Sequence, residues 1–260
     1  MRRLLESAGF LVRTAENAPT ALRLVREEHF DLMLADLGLP GMTGLQLIAQ
    51  LPAKSRPRVV VVTGDDTSES LLKALHEKAC EYVTKPFNPG HLLQVIRDTL
   101  ELPDCADQIE VISADPQWVE LRFPCDIRVA DHIQELLKKL ESDLPPKVRD
   151  SVETAFYELV RNAVEWGGNL DPNSRIHVTF QRTKRLLLYR IADPGPGFDP
   201  AHCEHAAINN PPDNPVEHIQ VRESKGMRPG GFGIMMAQAL VDEMIYNEAH
   251  NEVLFLKYLQ

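Results

Sequence analysis

Glu158-Leu159-Val160-Arg161-Asn162, Asp193-Pro194-Gly195-Pro196-Gly197 and Gly230-Gly231-Phe232-Gly233-Ile234 follow one another through the second half of the chain, and their reading decides its fold. Glu158 and Asn162 are four apart within a helical pattern of apolar residues (Val152, Ala155, Phe156, Leu159, Val160, Ala163, Val164), which puts both on one helical face. The Asn162 carbonyl oxygen suits Mg²⁺, a hard cation that prefers oxygen ligands. Glu158 is placed to act as a base toward a hydroxyl or water. Asp193 ends an apolar strand (Leu186, Leu187, Leu188, Tyr189, Ile191), where its carboxylate can accept from an exocyclic amine such as that of adenine. Gly195 and Gly197 allow a sharp turn and close approach to a flat base. Gly230, Gly231 and Gly233 precede a helix expected from about Ile234 to Met244, whose N-terminal N–H groups form a phosphate site. Singly, each motif has an ordinary explanation: a polar stripe, a loop after a strand, a glycine pair before a helix. Their shared order, spacing and context specify a nucleotide pocket that is neither a P-loop nor a Rossmann turn.

On these motifs, residues from about 108 to 260 resemble a GHKL-type ATPase domain, the superfamily of gyrase and the histidine kinases. Within it they most resemble the RsbW-type anti-sigma-factor serine kinases. The likeness extends to Asn162-Ala163-Val164-Glu165-Trp166-Gly167, similar to that family's helix end, with Trp166 where a His is usual. It also takes in Val241-Asp242-Glu243-Met244, Tyr246-Asn247 and Asn251-Glu252-Val253, similar to its closing helix and strand. The resemblance implies an α+β sandwich of helices on a mixed sheet with ATP between them. It implies Glu158 as catalytic carboxylate, Asn162 at Mg²⁺, Asp193 at adenine, and Gly195, Gly197, Gly230, Gly231 and Gly233 as nucleotide-binding glycines.

The first hundred residues follow another pattern. Strands are expected at Phe10–Val12, Leu32–Ala35, Val59–Val62 and Glu81–Val83, alternating with helices at Ala21–Glu28, Gly44–Leu51, Leu71–Lys78 and Leu92–Leu102. Such alternation predicts a parallel, doubly wound sheet, which binds ligands at the carboxyl ends of its strands. Asp36, Thr63 and Lys85 each stand at or just past such an end. They make a chemical set: a carboxylate that can be phosphorylated, with a hydroxyl and an ammonium to bind the new oxygens.

Asp36-Leu37-Gly38-Leu39-Pro40-Gly41-Met42-Thr43-Gly44, with Thr63-Gly64 and Lys85-Pro86-Phe87, resembles the receiver domain of two-component response regulators. That resemblance implies a flavodoxin-like (CheY-like) fold, Asp36 as phosphoacceptor, Thr63 as switch hydroxyl, Tyr82 as switch aromatic and Lys85 as phosphate-binding lysine. It also implies a first strand carrying an acidic pair for Mg²⁺. The chain opens instead at Arg2-Arg3-Leu4-Leu5-Glu6, which reads as the end of the first helix, so that strand is expected to be missing. A shortened sequence or a misassigned start is the favoured explanation over a naturally degenerate receiver.

The expected organisation is a receiver at 1–102, a linker at 103–108 around Pro103, Asp104 and Asp107, and an ATPase domain at 109–260. Strands at Glu110–Ala114 and Trp118–Phe123 and a helix at Ile127–Leu140 open the second domain, with Pro145-Pro146 stopping that helix. Residues 201–229, rich in Asn, Pro and His, read as a mobile lid over ATP, and His202-Cys203-Glu204-His205 as solvated loop rather than a metal site. The four cysteines are scattered without metal-ligand spacing, which suits a reducing cytoplasm. The net charge of −10 and the lack of a basic run argue against direct nucleic-acid binding. No apolar run reaches the roughly 18 residues a membrane helix needs.

These readings converge on a cytoplasmic response regulator with ATP and Mg²⁺ as cofactors and an anti-sigma-type serine/threonine kinase output. Its expected partners are an upstream histidine kinase and a STAS-type anti-anti-sigma protein or a sigma factor; homodimerisation stays open. The alternatives are a non-catalytic ATP-dependent adaptor and a histidine-kinase-related protein. The last is disfavoured because His132 lacks the usual following proline.

Overall fold

The structure, a computed structural model, describes residues 1–39, 41–65, 67–101, 108–199, 203, 206–207, 210, 214, 216–224 and 231–259. The chain divides into two compact units, Met1–Ile109 and Glu110–Gln260. Apart from residue 108, the expected linker at 103–108 lies outside the described residues, as do Gly230 and most of the expected lid.

In the first unit, α1 (Arg2–Ser7) and α2 (Ala18–Glu27) precede β1 (Leu32–Ala35). Then come α3 (Gly44–Ala49), β2 (Arg58–Thr63), α4 (Ser68–His76), β3 (Glu81–Thr84) and α5 (Pro89–Glu101). The helix starts are written in the sequence: Asn17 and Thr67 cap α2 and α4, and Thr43 with Gln46 forms a reciprocal capping box on α3. The three strands form a parallel sheet in the order β1-β2-β3. Central β2 is buried from Val59 to Thr63, whereas edge strand β1 is fully buried only at Ala35. Leu5, Val60, Val62, Val83, Leu92 and Ile96 form a core on one side of the sheet.

Phe10–Val12 corrects the sequence reading: it forms no strand. Phe10 and Val12 pack against that core while Leu11 is wholly exposed, which is strand-like alternation. The segment nevertheless pairs with no neighbour among the described residues, and a strand exists only through its ladder.

In the second unit, the hairpin β4 (Glu110–Asp115) and β5 (Trp118–Pro124) leads into α6 (Ile127–Leu140) and α7 (Pro146–Asn162). A π-helical turn (Ala163–Gly167) follows, then β6 (Arg175–Arg182), β7 (Leu186–Ala192), α8 (Glu217–Ser224), α9 (Gly233–Leu240), β8 (Glu243–Tyr246) and β9 (Glu252–Tyr258). The sheet order is β4-β5-β6-β7-β9-β8 with every pair antiparallel, not the mixed sheet expected. The reason is connectivity. Two helices between β5 and β6 return the chain to the edge it left, and hairpins join the other sequential neighbours β4–β5, β6–β7 and β8–β9.

Two further boundaries differ from expectation. Pro146 occupies the first position of α7, where its missing N–H costs nothing, so it starts a helix rather than stopping one. The last helix ends at Leu240 because Val241 is extended, and Glu243 and Met244 belong to β8. One sheet face packs on α6 and α7 through Val119, Leu121, Phe123, Val178, Phe180, Tyr189 and Phe255. Tyr189 anchors this core, stacked on Phe255 at 4.7 Å and tilted against Phe180 at 5.0 Å and Phe156 of α7 at 5.7 Å. That anchor fixes the helix that carries Glu158 and Asn162.

Candidate functional site

Each unit gathers its own set of reactive groups. In the first, Asp36 directly follows β1, Thr63 ends β2 and Lys85 directly follows β3. The parallel register pairs Ala35 with Val61 and Thr63 with Thr84, which brings all three ends to one edge. Lys85 Nζ donates to Asp36 Oδ2 at 2.5 Å, and the Gly38 N–H donates to Oδ1 at 3.0 Å. Burial alone would raise the Asp36 carboxyl; Lys85 and Gly38 outweigh it and hold it below its ordinary value. Gly44 is required here, since a Cβ would stand 2.3 Å from the Asp36 carbonyl oxygen.

Thr63 and Tyr82 are tied to a residue the sequence reading passed over. The Asp65 N–H donates to Thr63 Oγ1 at 3.2 Å, and the buried Tyr82 hydroxyl donates to the Asp65 carbonyl. The Asp65 side chain accepts from the Ser70 hydroxyl at 2.5 Å and the Thr67 N–H at 3.0 Å, and these bonds hold its carboxyl low. The signal was an acid two residues past a strand-end hydroxyl. The Mg²⁺ site that a receiver implies is not met by these groups. Both Asp36 oxygens already accept hydrogen bonds, and no cluster of three or more His, Cys, Asp or Glu side chains among the described residues could hold a metal.

In the second unit, Glu158 and Asn162 lie half-buried on α7, and α9 begins against Glu158. A Cβ at Gly233 would stand 2.5 Å from Glu158 Oε2, so glycine lets the first turn of α9 meet the carboxylate. Asp193 follows β7; its N–H donates to the Asn251 carbonyl and its Oδ1 accepts from the Gly195 N–H, both at 2.9 Å. Gly167, at the end of the π-helical turn, faces Asp193 so closely that a Cβ would meet Cγ at 2.1 Å. Burial raises the Asp193 carboxyl against the Gly195 N–H. Burial first, and Asp193 second, push the Tyr246 hydroxyl up to about 12.

Gly197 meets the β8–β9 turn. It has φ +83°, and a Cβ there would stand 1.6 Å from the Ala249 carbonyl oxygen, so it seats the loop on the β8–β9 turn. Asn251 Nδ2 fastens the same loop by donating to the Gly195 carbonyl at 2.9 Å, and Phe198 packs edge-on to Tyr246 at 5.6 Å. Gly231, at φ +100°, takes a left-handed conformation just ahead of α9. The sequence reading gave no role to Gly167, Asn251 or the β8–β9 turn; their one visible signal was membership of the quoted motifs.

These residues offer chemistry that suits a nucleotide. At Gly167, Gly195, Gly197 and Gly233 a side chain would collide with neighbouring segments, so glycine lets them meet closely, and Glu158, Asn162 and Asp193 carry oxygen acceptors. No helix among the described residues is long and apolar enough to cross a membrane.

Comparison with known proteins agrees with this geometry. A family model described as "Histidine kinase-like ATPase domain" matches residues 126–257, and one described as "Response regulator receiver domain" matches residues 1–97. The chain belongs to the histidine kinase-like ATPase family, with a receiver domain ahead of the ATPase domain. Its architecture is therefore that of a response regulator with an ATPase-type output. The second domain implies ATP binding, and the first implies a phosphodonor such as a histidine kinase.

The DNA-binding response regulator MtrA of Mycolicibacterium paratuberculosis is 30% identical over 185 residues, covering 70% of this chain and 80% of that protein. A CheY-like receiver domain protein from Methanospirillum hungatei is 33% identical with a TM-score of 0.37, over 38% of this chain and 81% of that one. A Burkholderia pseudomallei response regulator carrying a phosphorylated aspartic acid is 32% identical with a TM-score of 0.34, over 39% of this chain and 65% of that one.

Proposed function

We propose that the second unit is an ATP-dependent protein serine/threonine kinase of the anti-sigma type, acting in the cytoplasm. In this reading the receiver gates it, with Asp36 as phosphoacceptor. The observation that carries the reading is the meeting of Glu158 with the glycine-lined start of α9. That contact puts a carboxylate beside the backbone N–H groups best suited to hold phosphates. Glu158 accepts the proton of an incoming serine or threonine hydroxyl. Asn162 supplies an oxygen ligand for Mg²⁺, which when bound neutralises charge on the phosphates. Asp193 accepts from the adenine amine, and Gly167, Gly195 and Asn251 hold it in place.

The partner is a STAS-type anti-anti-sigma protein or a sigma factor. Transfer of radiolabel from γ-labelled ATP to a serine-bearing STAS partner tests the proposal. Glu158→Gln should keep ATP binding and lose transfer. ATP binding without transfer to any such partner in the wild type would replace the kinase with a non-catalytic adaptor.

A further inference from the structure

We propose that Glu141 keeps a proton in the folded state at the junction of α6 and α7, and that this proton makes the stability of the second unit depend on pH. Glu141 caps the carboxyl end of α6 and is only 1% exposed. Its Oε1 is buried without a hydrogen-bond partner, and so is Oε1 of Glu153 on α7. The neighbouring cations are committed elsewhere. Arg182 of β6 is forked onto Asp143 at 2.7 and 2.8 Å and also donates to the Leu140 carbonyl at 3.3 Å. Lys138 of α6 and Arg149 of α7 face Glu153 at 3.5 and 3.6 Å.

Arg182 therefore balances Asp143, while Lys138 and Arg149 are drawn to Glu153. Glu141 is left as the acid without its own cation. An ionised carboxylate so buried is strongly disfavoured, whereas a carboxylic acid is not. Burial first, and the charge of Glu153 second, push the Glu141 carboxyl up to about 8, against Arg182 and Arg149.

In the unfolded chain the same carboxyl titrates near its ordinary value of 4.5. The folded state thus holds a proton that the unfolded state releases. Its contribution is complete below about 4.5, is lost progressively as pH rises, and is gone above about 8. The junction lies on the helix that carries Glu158 and Asn162, so alkaline ionisation loosens the packing of the nucleotide site from behind.

Both tryptophans, Trp118 and Trp166, lie in the second unit, so their fluorescence follows its unfolding within the full chain. Thermal unfolding is followed this way from pH 5 to pH 9 for wild type, Glu141→Gln and Glu153→Gln. The wild-type midpoint should fall by several degrees with rising pH and level off above about 8. Glu141→Gln, a permanent mimic of the acid, should be nearly independent of pH and more stable than wild type at the alkaline end. Glu153→Gln should move the wild-type transition to lower pH. A Glu141→Gln protein that keeps the wild-type pH dependence, or is less stable than wild type at pH 9, overturns the proposal. If neither variant folds, infrared difference spectra of the wild type decide: a carboxylic-acid C=O band persisting at pH 7 and bleaching near pH 8 supports the buried acid, and its absence overturns it.

Discussion

The two sites are opposites in how their charge is settled. Asp36 stands at a strand end with its ammonium partner at 2.5 Å and a backbone N–H on its other oxygen, and its carboxyl is held low. Asp193 stands at a strand end with a single backbone N–H and burial that raises it. The first site is neutralised by its own chain. The second presents an acceptor among glycines, and only an incoming donor completes it. Side chains build the first; backbone close approach, enforced at Gly167, Gly195 and Gly233, builds the second.

The sharpest way to break this contrast is to remove the base. Glu158→Gln is nearly isosteric and keeps the contact with Gly233, so ATP affinity should hold. Phosphoryl transfer should fall by roughly 10²–10⁴-fold, the range of general-base contributions. Calorimetry and label transfer on one preparation separate the two effects. Equal losses in binding and transfer would show that Glu158 only shapes the cradle.

The next effect is on the backbone. Gly197→Ala adds a methyl group where φ is +83° and the Ala249 carbonyl oxygen leaves no room. The left-handed backbone alone costs about 1–2 kcal/mol for a residue with a side chain, and the collision adds to it. The unfolding midpoint of the second unit should drop, and nucleotide affinity with it, since the loop that holds Asp193 must shift. An unchanged midpoint would mean that the loop sits differently on the β8–β9 turn.

Asp193→Asn exchanges an acceptor for a mixed group without changing size. ATP binding should weaken by about 1–3 kcal/mol, the cost of leaving a buried polar partner unmatched. Asn251→Ala removes the bond to the Gly195 carbonyl and should weaken binding by a smaller amount, about 0.5–1.5 kcal/mol. Titration calorimetry of both variants should rank them in that order. Unchanged affinity in Asp193→Asn would remove the adenine role from this residue.

How much of this was readable from sequence follows the same division. Asp36, Thr63 and Lys85 could be placed because strand ends in a parallel sheet converge, and because Val59–Val62 can only be a buried strand. Helix α6 was readable to the residue, since Asp126 caps it and its apolar face is continuous. What escaped depends on contacts between distant segments. Gly167 against Asp193 and Asn251 on the Gly195 carbonyl leave no local pattern. The strand expected at Phe10–Val12 failed for a related reason: its alternation is local, but a ladder needs a partner. The end of α9 was misjudged because Val241 is apolar and continues the helical pattern, although its backbone is already extended.

The smallest effect belongs to the Asp36–Lys85 pair, and it tests the other half of the comparison. The two side chains are each 39% exposed, and pairs of that kind contribute at most about 1 kcal/mol. Lys85→Ala should therefore barely move the unfolding of the first unit at neutral pH. Because the folded Asp36 carboxyl is held low, whatever the pair contributes is present above the ordinary value of 3.8 and lost as pH falls below it. The difference between wild type and Lys85→Ala should close in acid.

Labelling probes the same carboxylate chemically. Phosphorylating a carboxylate needs cationic charge to offset the meeting of two anions, and a metal ion is the usual source. At this edge the one cation that reaches Asp36 among the described residues is the Lys85 ammonium. This sequence should therefore take little label from acetyl phosphate by intact-mass analysis, with or without Mg²⁺. Efficient Mg²⁺-dependent labelling that disappears in Asp36→Asn would show that the first site is not settled by its own chain, and that it too waits for a ligand.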